Sequence, residues 1–537
     1  MLSRRALMFT ATATPFFSLA GEGWADTPKD TLVIGKAIDD IISLDPAEAF
    51  EFSGGEVDGN CYERLVVPNP ANADEILGEL AESWTIAPDG LSIDFVLRAG
   101  RKFASGNPVT AEDAVFSLVR TIKLNKSPAF ILNQFGATKD NVDKMIVATG
   151  PLSLKFMIAE KFAPTFVLYC LSANCGSVVE KALVLKNEVN GDLGNGWLKT
   201  ASAGTGPFSV RSWKASESVI LDANPHSPLK TKPRRVFYKH IVDPSAQQLQ
   251  LQQGDIDIAR DLLPDQLKAA QANPAFKLSS SPRSYIMYLC MNQNVPALAK
   301  PGVRQAIKWA IDYDGIQKNI VPTTYAVQQS FVPAGVMGAI TDKPFTKDSA
   351  KAKAMMAAEG VSGFEITIDH YNGQPGSDIA QAIQANLAEI GIKATLMAAE
   401  QRQVITRYRA RQHQMAILSW GIDYMDPHSN AETFCVNVDN SDTARSKTLS
   451  WRNSWQDADL TQRALAAVKA GRPLAEVDRG ARSVIEGDGY GFYFTHRTGH
   501  GMGIDVHEQP SVHGENKTLM QAGGGSGRRP HDAPWPG

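Results

Sequence analysis

Two aspartates, Asp423 and Asp426, lie in a short stretch with Trp420 and Tyr424, directly before Pro427. Carboxylates flanked by aromatic rings can hold a small cation, because a charge that loses its water needs an opposite charge in return. An Asx-type turn before Pro427 is the structural alternative. We expect Asp423 to bind the cation and Asp426 to keep the structural role, with Trp420 and Tyr424 as candidate ligand contacts.

The element that positions these side chains is an apolar run, 415–420, which predicts a strand buried on both faces. Upstream, predicted strands alternate with amphipathic helices, at residues 364–369, 378–390, 392–397 and 400–411. Far earlier in the chain, Thr110 followed by Asp113 predicts the start of another helix. The alternation predicts an α/β sheet with parallel pairs, and ligands of such sheets bind beyond the carboxyl ends of strands, where Asp423 lies.

Length and composition limit the classes of function. A chain of 537 residues exceeds what one core usually supports, so we expect two or more domains. A net charge of -3 without a basic stripe argues against nucleic acid as a partner. The five cysteines show no metal-ligand spacing. Cys170 and Cys175 are close enough in sequence to pair, and buried free thiols are the alternative.

The first 25 residues predict an export signal. Arg4 and Arg5 precede an apolar run, 6–20, and a small residue, Ala25, follows shortly after it. This order is typical of signals that are removed after export. The paired arginines are similar to a twin-arginine signal, and an ordinary secretory signal is the alternative. We expect the mature chain to begin near Asp26 and to be soluble outside the cytoplasm.

Several motifs, in the same order along the chain, resemble family 5 bacterial extracellular solute-binding proteins, the dipeptide- and oligopeptide-binding subunits of ABC importers. They are LAESW at 80–84, FASGNPVTAEDA at 103–114, GTGPF at 204–208, VRQAI at 303–307 and WGIDYMDP at 420–427. The resemblance implies a two-lobed α/β periplasmic binding protein of type II with an extra subdomain. It also implies capture of a peptide or other small cationic solute and delivery to permease subunits in the inner membrane. We expect a monomer without a cofactor.

The resemblance implies roles for particular residues. In dipeptide-binding members an aspartate after this strand receives the α-ammonium group of the ligand, and Asp423 stands at the matching position. Those members carry an arginine for the ligand carboxylate in the loop similar to 370–376, which has no arginine here. Longer peptides and other cationic solutes therefore remain alternative ligands. Trp451 and Arg452, where the chain is expected to return to the first lobe, are further candidates for lining the cleft.

The C-terminal part carries a second resemblance. The segment GYGFYFTHRTGHGMGIDVHE at 489–508 resembles a piece of a Xaa-Pro aminopeptidase, a two-metal enzyme with a pita-bread fold. His500 matches a metal ligand and His507 a histidine that assists catalysis, but the carboxylate ligands have no counterparts. A two-metal site needs several carboxylates, so we expect no metal site and no enzyme. The simplest hypothesis is a fusion of two fragments, in which a helix predicted at 475–486 partly replaces the missing end of the first lobe.

The chain is thus predicted to consist of an export signal (1–25), lobe I (26–60 and 196–275), its extra subdomain (61–195), lobe II (276–450), a return to lobe I (451–465), an aminopeptidase-like fragment (466–522) and a flexible tail (523–537). The predicted function is capture of a peptide-like solute for import. The alternatives are a metal-dependent Xaa-Pro aminopeptidase and a fusion remnant that has lost binding.

Overall fold

The computed structural model describes residues 29–466, except 71, 282, 335, 337, 338, 425 and 445. It also describes the backbone of 499–501 and 508–512. The predicted export signal, the helix predicted at 475–486 and the predicted tail lie outside these residues.

The strands, in chain order, are β1 (Thr31–Lys36), β2 (Val66–Asn69), β3 (Asn72–Gly78), β4 (Ala81–Ile86), β5 (Ser92–Leu97), β6 (Ile146–Gly150), β7 (Ser153–Met157), β8 (Phe208–Lys214), β9 (Ser218–Ala223), β10 (Arg235–His240), β11 (Ile258–Ala259), β12 (Tyr285–Met291), β13 (Phe364–Tyr371), β14 (Ile392–Ala399), β15 (Met415–Gly421), β16 (Gly499–Gly501) and β17 (Glu508–Val512). The helices are α1 (Phe52–Cys61), α2 (Ala111–Leu124), α3 (Phe130–Asn133), α4 (Val142–Met145), α5 (Pro164–Leu171), α6 (Lys181–Lys186), α7 (Asn195–Leu198), α8 (Pro244–Gln253), α9 (Pro264–Ala272), α10 (Pro296–Ala299), α11 (Pro301–Ala310), α12 (Tyr313–Asn319), α13 (Ser349–Ala358), α14 (Gly376–Glu389), α15 (Gln401–Arg409), α16 (His428–Cys435), α17 (Leu449–Arg452) and α18 (Ala458–Ala466).

The first lobe is built on a five-stranded sheet with the order β11-β1-β10-β9-β8. β1 pairs in parallel with β10 and β11, whereas β8, β9 and β10 form an antiparallel meander. The chain leaves this sheet after α1 and returns to it at β8. The elements between them form a four-stranded antiparallel sheet, β4-β5-β7-β6, and the pair β2-β3. This inserted unit has its own aromatic core.

The second lobe contains the sheet β12-β15-β13-β14. β13 is parallel to β14 and β15, and β12 is antiparallel to β15, which confirms the predicted α/β sheet with parallel pairs. Met415 and Ile417 of β15 face one buried core, and Leu418 and Trp420 face a second. The central strand β15 is therefore buried on both faces, as the apolar run predicts.

The segment expected to return to the first lobe, 451–465, lies against the second lobe in the structure. Ala464 of α18 is buried together with Cys435 and Val436 at the end of α16. Asn453 Nδ2 donates to the hydroxyl of Tyr408 on α15 at 3.1 Å. These apolar and polar contacts hold the segment beside α15 and α16, so in the described part of the chain it extends the second lobe.

The five cysteines are buried and unbonded, so Cys170 and Cys175 are free thiols in this structure. In the described part of the chain, no helix combines the length and the apolar character needed to cross a membrane.

Candidate functional site

The end of β15 lies against the first lobe. A Cβ atom added to Gly421 would lie 2.9 Å from Cε1 of Phe52, so a larger residue here would displace the Phe52 ring. The ring of Phe52 is tilted against that of Tyr285 on β12, with centroids 5.1 Å apart. Phe50 packs edge-on against Trp420 at a centroid distance of 5.3 Å. Because Phe50 and Phe52 belong to the first lobe, the strand that carries the predicted site ends where the two lobes meet.

Asp423 lies two residues beyond β15 in a half-buried position. Its backbone N–H donates to Ser429 Oγ at 2.8 Å, and the same hydroxyl lies 3.4 Å from Asp423 Oδ2. Burial raises the pKa of Asp423 to about 8, against the opposing effects of Ser429 and of the positive charge of Arg452. Among the described residues no cationic side chain forms an ion pair with Asp423. The site therefore holds a partly desolvated carboxyl group without a cation.

Asp426 has a local partner. Its Oδ1 accepts a hydrogen bond from the backbone N–H of His428 at 2.8 Å, in the turn that leads into α16. Burial raises the pKa of Asp426 to about 6. This Asx-type contact is the structural role expected for Asp426.

Tyr424 and Trp420 are both buried where the lobes meet. The Tyr424 hydroxyl lies 3.2 Å from Nδ1 of His428, and its ring packs edge-on against Phe166 of the inserted unit at 5.8 Å. Burial lowers the pKa of His428 to about 3, so this imidazole is neutral at physiological pH. Nε1 of Trp420 is buried and has no hydrogen-bond partner among the described residues. Trp420 thus keeps a free donor at the lobe junction, whereas the hydroxyl of Tyr424 is held by His428.

Trp451 and Arg452, the remaining predicted contacts, are buried on α17. Nε1 of Trp451 donates to the carbonyl of Ser441 at 2.8 Å, and the guanidinium of Arg411 lies 4.4 Å from the ring centroid. Trp451 is thus engaged within the second lobe. The charge of Arg452 acts on Asp423, so the structure brings Arg452 into the electrostatic surroundings of the Asp423 carboxyl group.

Sequence reasoning missed the side chains that the first lobe brings to this junction. The guanidinium of Arg409 on α15 lies 2.6 Å from Glu51 Oε1. Asp39 Oδ2 accepts from the backbone N–H of Gln401 at 2.9 Å, and the Asp39 carbonyl accepts from the N–H of Arg402 at 3.0 Å. A carboxylate at a helix N-terminus is favourable, so Asp39 caps α15 from the opposite lobe. Asp39 follows the parallel strand β1. The expectation that ligands bind beyond the carboxyl ends of such strands, which identified Asp423, could therefore also have identified Asp39.

The two histidines of the aminopeptidase-like fragment, for which no metal site is expected, fall mostly outside the described residues. His507 lies outside them, and for His500 the structure describes only the backbone, in β16. Within the described residues there is no group of three or more His, Cys, Asp or Glu side chains placed to hold a metal ion.

Most of the chain is similar in sequence to bacterial solute-binding proteins. The family model described as "Bacterial extracellular solute-binding proteins, family 5 Middle" matches residues 75–442. The probable D,D-dipeptide-binding periplasmic protein DdpA of Escherichia coli (strain K12) is 32% identical over 411 residues, which are 75% of this chain and 77% of the relative. Di/tripeptide-binding protein 2 of Pseudomonas aeruginosa is 27% identical, with 68% of this chain and 71% of the relative covered.

Solved structures share the fold. The periplasmic binding protein DppA from Helicobacter pylori, in complex with peptide STSA, superposes with a TM-score of 0.74 and 25% identity, over 85% of this chain and 88% of that one. The dipeptide binding protein from Pseudoalteromonas sp. SM9913, in complex with Met-Leu, also gives a TM-score of 0.74, at 19% identity, with 84% and 91% covered. The latter likeness shows the fold alone.

A second family model, metallopeptidase family M24, matches residues 371–524. Residues 371–442 are common to both matches, and the structure places them in and around the second-lobe sheet. The family 5 match covers most of the chain and is joined by a relative 32% identical over three quarters of it. The chain therefore belongs to family 5 of the bacterial extracellular solute-binding proteins, with the two-lobed α/β fold of the peptide-binding proteins.

Proposed function

We propose that this solute-binding protein captures a peptide-like solute with a free α-ammonium group, which Asp423 receives, and delivers it to an ABC transporter for import. The observation that carries the proposal is the half-buried Asp423 carboxyl group at the lobe junction, which has no cationic partner among the described residues. A compact ammonium group that loses water in a closed cleft needs such a carboxylate.

The relatives support the chemical class of this ligand. Those compared above are named for D,D-dipeptides and for di- and tripeptides, and the two solved structures hold peptide STSA and Met-Leu. Both the family and these relatives are binding proteins, which favours binding over catalysis. The loop 370–376 lacks the arginine that the resemblance leads one to expect for the carboxylate of a dipeptide. The length and the stereochemistry of the bound peptide are therefore not specified.

The proposal places the mature protein in the periplasm, exported through the signal predicted at 1–25, with twin-arginine export as the finer expectation. Its partners are the permease subunits of an ABC importer in the inner membrane, and it acts as a monomer. Closure of the lobes around the ligand then couples capture to delivery, because the permease can distinguish closed from open forms.

A panel of alanine peptides tests the function. L-alanyl-L-alanine, D-alanyl-D-alanine, tri-L-alanine and tetra-L-alanine vary length and stereochemistry while keeping the termini constant. We expect at least one of them to raise the melting temperature of the purified protein in a concentration-dependent way, since ligands that bind the native state stabilise it. If no peptide in this panel or in a broad peptide library raises it, the remnant hypothesis replaces the proposal.

Peptide affinity should rise with pH up to about 8 and fall above it. Asp423, with a pKa of about 8, must lose its proton to receive an ammonium group. The peptide amine, with a pKa of about 7.7–8.0, must keep its proton. Below pH 8 the peptide affinity is therefore limited by the ionisation of Asp423 and should rise by up to tenfold per pH unit. Above pH 8 the affinity is limited by the loss of the proton from the peptide amine. Titration calorimetry between pH 6 and 9 measures both limbs, and buffers of different ionisation enthalpy detect the released proton.

Two neighbouring carboxyl groups titrate in the same interval, so the profile needs a control. Burial raises the pKa of Asp426 to about 6 and that of Glu432 to about 7. The variant Asp423→Asn keeps both groups, and it should lose the rising limb. A rising limb that survives in this variant would assign it to Asp426 or Glu432 and remove Asp423 from the proton linkage.

A further inference from the structure

Helix α15 of the second lobe is held at both ends by the first lobe. At its N-terminus, Asp39 Oδ2 accepts from the backbone N–H of Gln401 at 2.9 Å, and the Asp39 carbonyl accepts from the N–H of Arg402 at 3.0 Å. In its last turn, the guanidinium of Arg409 lies 2.6 Å from Oε1 of Glu51. These two attachments are about 12 Å apart along the helix axis. We call Asp39 and Glu51 the α15 clamp.

The N-terminus of α15 depends on the opposite lobe for its cap. Glu400, the N-cap residue, makes no side-chain capping hydrogen bond, and its carbonyl accepts from the N–H groups of the third and fourth helical residues. The N–H groups of the first two helical residues donate to Asp39. Such amides carry a partial positive charge, so a carboxylate beside them is stabilising. Separation of the lobes breaks these hydrogen bonds and exposes both partners to water.

The ion pair at the other end of α15 is largely withdrawn from water. The side chains of Glu51 and Arg409 are 3% and 20% exposed. Oε2 of Glu51 accepts from the backbone N–H of Phe50 at 3.2 Å, which fixes the carboxylate in the first lobe. A buried carboxylate is costly unless a counter-charge lies beside it, and here the counter-charge comes from the other lobe. Closure with Arg409 in place is therefore favoured over closure with Glu51 unpaired.

α15 forms one body with the strand that carries the proposed ammonium site. Val404 and Tyr408 of α15 are buried together with Leu418 and Trp420 of β15. Asp423 follows that strand. Attachment of α15 to the first lobe at two separate points therefore fixes the orientation of β15 relative to the first lobe, as well as its distance from it.

A second arginine on α15 makes an equivalent ion pair within one lobe. Arg407 pairs with Asp369 of β13, and the two side chains are 33% and 1% exposed. Both members of this pair belong to the second lobe, so opening of the lobes leaves it intact. Arg407 and Arg409 thus present the same residue type on the same helix, without and with a partner across the lobe junction.

We propose that the α15 clamp holds the lobes closed over a bound solute and thereby sets how slowly the solute is released, whatever its terminal groups. This role rests on the proposed function and adds positioning residues to it. Only closed molecules enclose the solute, so the apparent affinity falls with the population of the closed form. Release requires opening, so loss of the clamp should appear mainly as faster dissociation. The preference for a free amine depends on Asp423 and should not change.

A double-mutant cycle on the full chain tests the clamp, with the free-amine and N-acetylated forms of the alanine peptides. We expect Arg409→Gln and Glu51→Gln each to weaken the binding of both peptide forms by about 10- to 100-fold, the range for loss of a hydrogen bond to a charged group. The double variant leaves neither charge unpaired, so its loss should be smaller than the product of the two single losses. Asp39→Ala, at the other end of the helix, should also speed dissociation. Titration calorimetry measures the affinities, and stopped-flow tryptophan fluorescence measures the dissociation rates.

Arg407→Gln is the matched control. It removes the same charge from the same helix and leaves the buried Asp369 unpaired, so it should lower the melting temperature. Because both members of this pair belong to the second lobe, the affinities and dissociation rates of both peptide forms should stay nearly unchanged.

Three results would contradict the clamp. Equal weakening in Arg407→Gln and Arg409→Gln would overturn it while leaving the proposed function intact, and so would a loss in the double variant equal to the product of the single losses. Weakening confined to the free-amine peptides would also overturn it, because the ion pair would then act on the ammonium group and not on closure. Absence of binding by every peptide in the panel and in a broad library would overturn the proposed function, and the clamp with it.

Discussion

Asp423→Asn is expected to weaken the binding of free-amine alanine peptides by roughly 150- to 4,000-fold, equivalent to about 3–5 kcal/mol for removing one partner of a buried ion pair. Asparagine keeps the size of the side chain and can still contact Ser429, so the local turn should persist. What is lost is the negative charge that offsets the desolvated ammonium group. Peptides whose amine is acetylated carry no such charge and should bind the variant and the wild-type protein equally. Titration calorimetry with both peptide forms measures the difference.

Asp426→Asn provides the control for this substitution. Asp426 lies three residues further along and is also half-buried, but its Oδ1 already accepts from the backbone of His428. An amide oxygen can accept the same hydrogen bond, so we expect a small change in affinity that is the same for free and acetylated peptides. An equal loss for both peptide forms in Asp423→Asn would mean that Asp423 shapes the turn and does not receive the amine.

The strand that carries Asp423 could be predicted because its signal is local. A run of six residues, five of them apolar, between helical patterns, has few structural solutions other than a central strand of an α/β sheet. The same is true of α2, where Thr110 and Asp113 form the capping box that their spacing predicts. In both cases the residues that decide the structure are neighbours in sequence. The strand-end rule then located Asp423 without knowledge of any tertiary contact.

The surroundings of the site depend on residues far apart in the chain and could not be predicted. Glu51 meets Arg409 across 358 positions, and no local pattern distinguishes either from a solvated surface charge. In the described part of the chain no carboxylate forms an ion pair with the buried Arg452, and this follows only from the assembled fold. The direction of Tyr424, whose hydroxyl turns to His428, depends on the geometry of the turn after β15. Sequence could therefore give the position of the carboxylate but not its partners.

The loop that brings first-lobe side chains to the site depends on one buried ion pair, and breaking it should have the largest effect on stability. Asp45, at 0% side-chain exposure, accepts from both terminal nitrogens of Arg120, at 2.7 and 2.5 Å. Arg120→Met leaves this carboxylate buried without a counter-charge, with only the neutral donors Asn195 and the Ala47 backbone N–H among the described residues, at a cost of about 3–5 kcal/mol in the free energy of unfolding. Urea unfolding followed by tryptophan fluorescence measures the change.

Two further variants separate the ion pair from the general effect of losing a charge on α2. Lys123 lies on the same helix and pairs with Asp143 at 2.7 Å, but the two side chains are 33% and 63% exposed, so Lys123→Met should cost no more than about 1 kcal/mol.

Adding Asp45→Asn to Arg120→Met removes the orphaned charge, and the double variant should be more stable than Arg120→Met alone. Similar losses for Arg120→Met and Lys123→Met would contradict this account. Because Asp45 lies in the loop that carries Asp39 and Glu51 to the second lobe, peptide affinity should fall with stability in Arg120→Met and recover in the double variant.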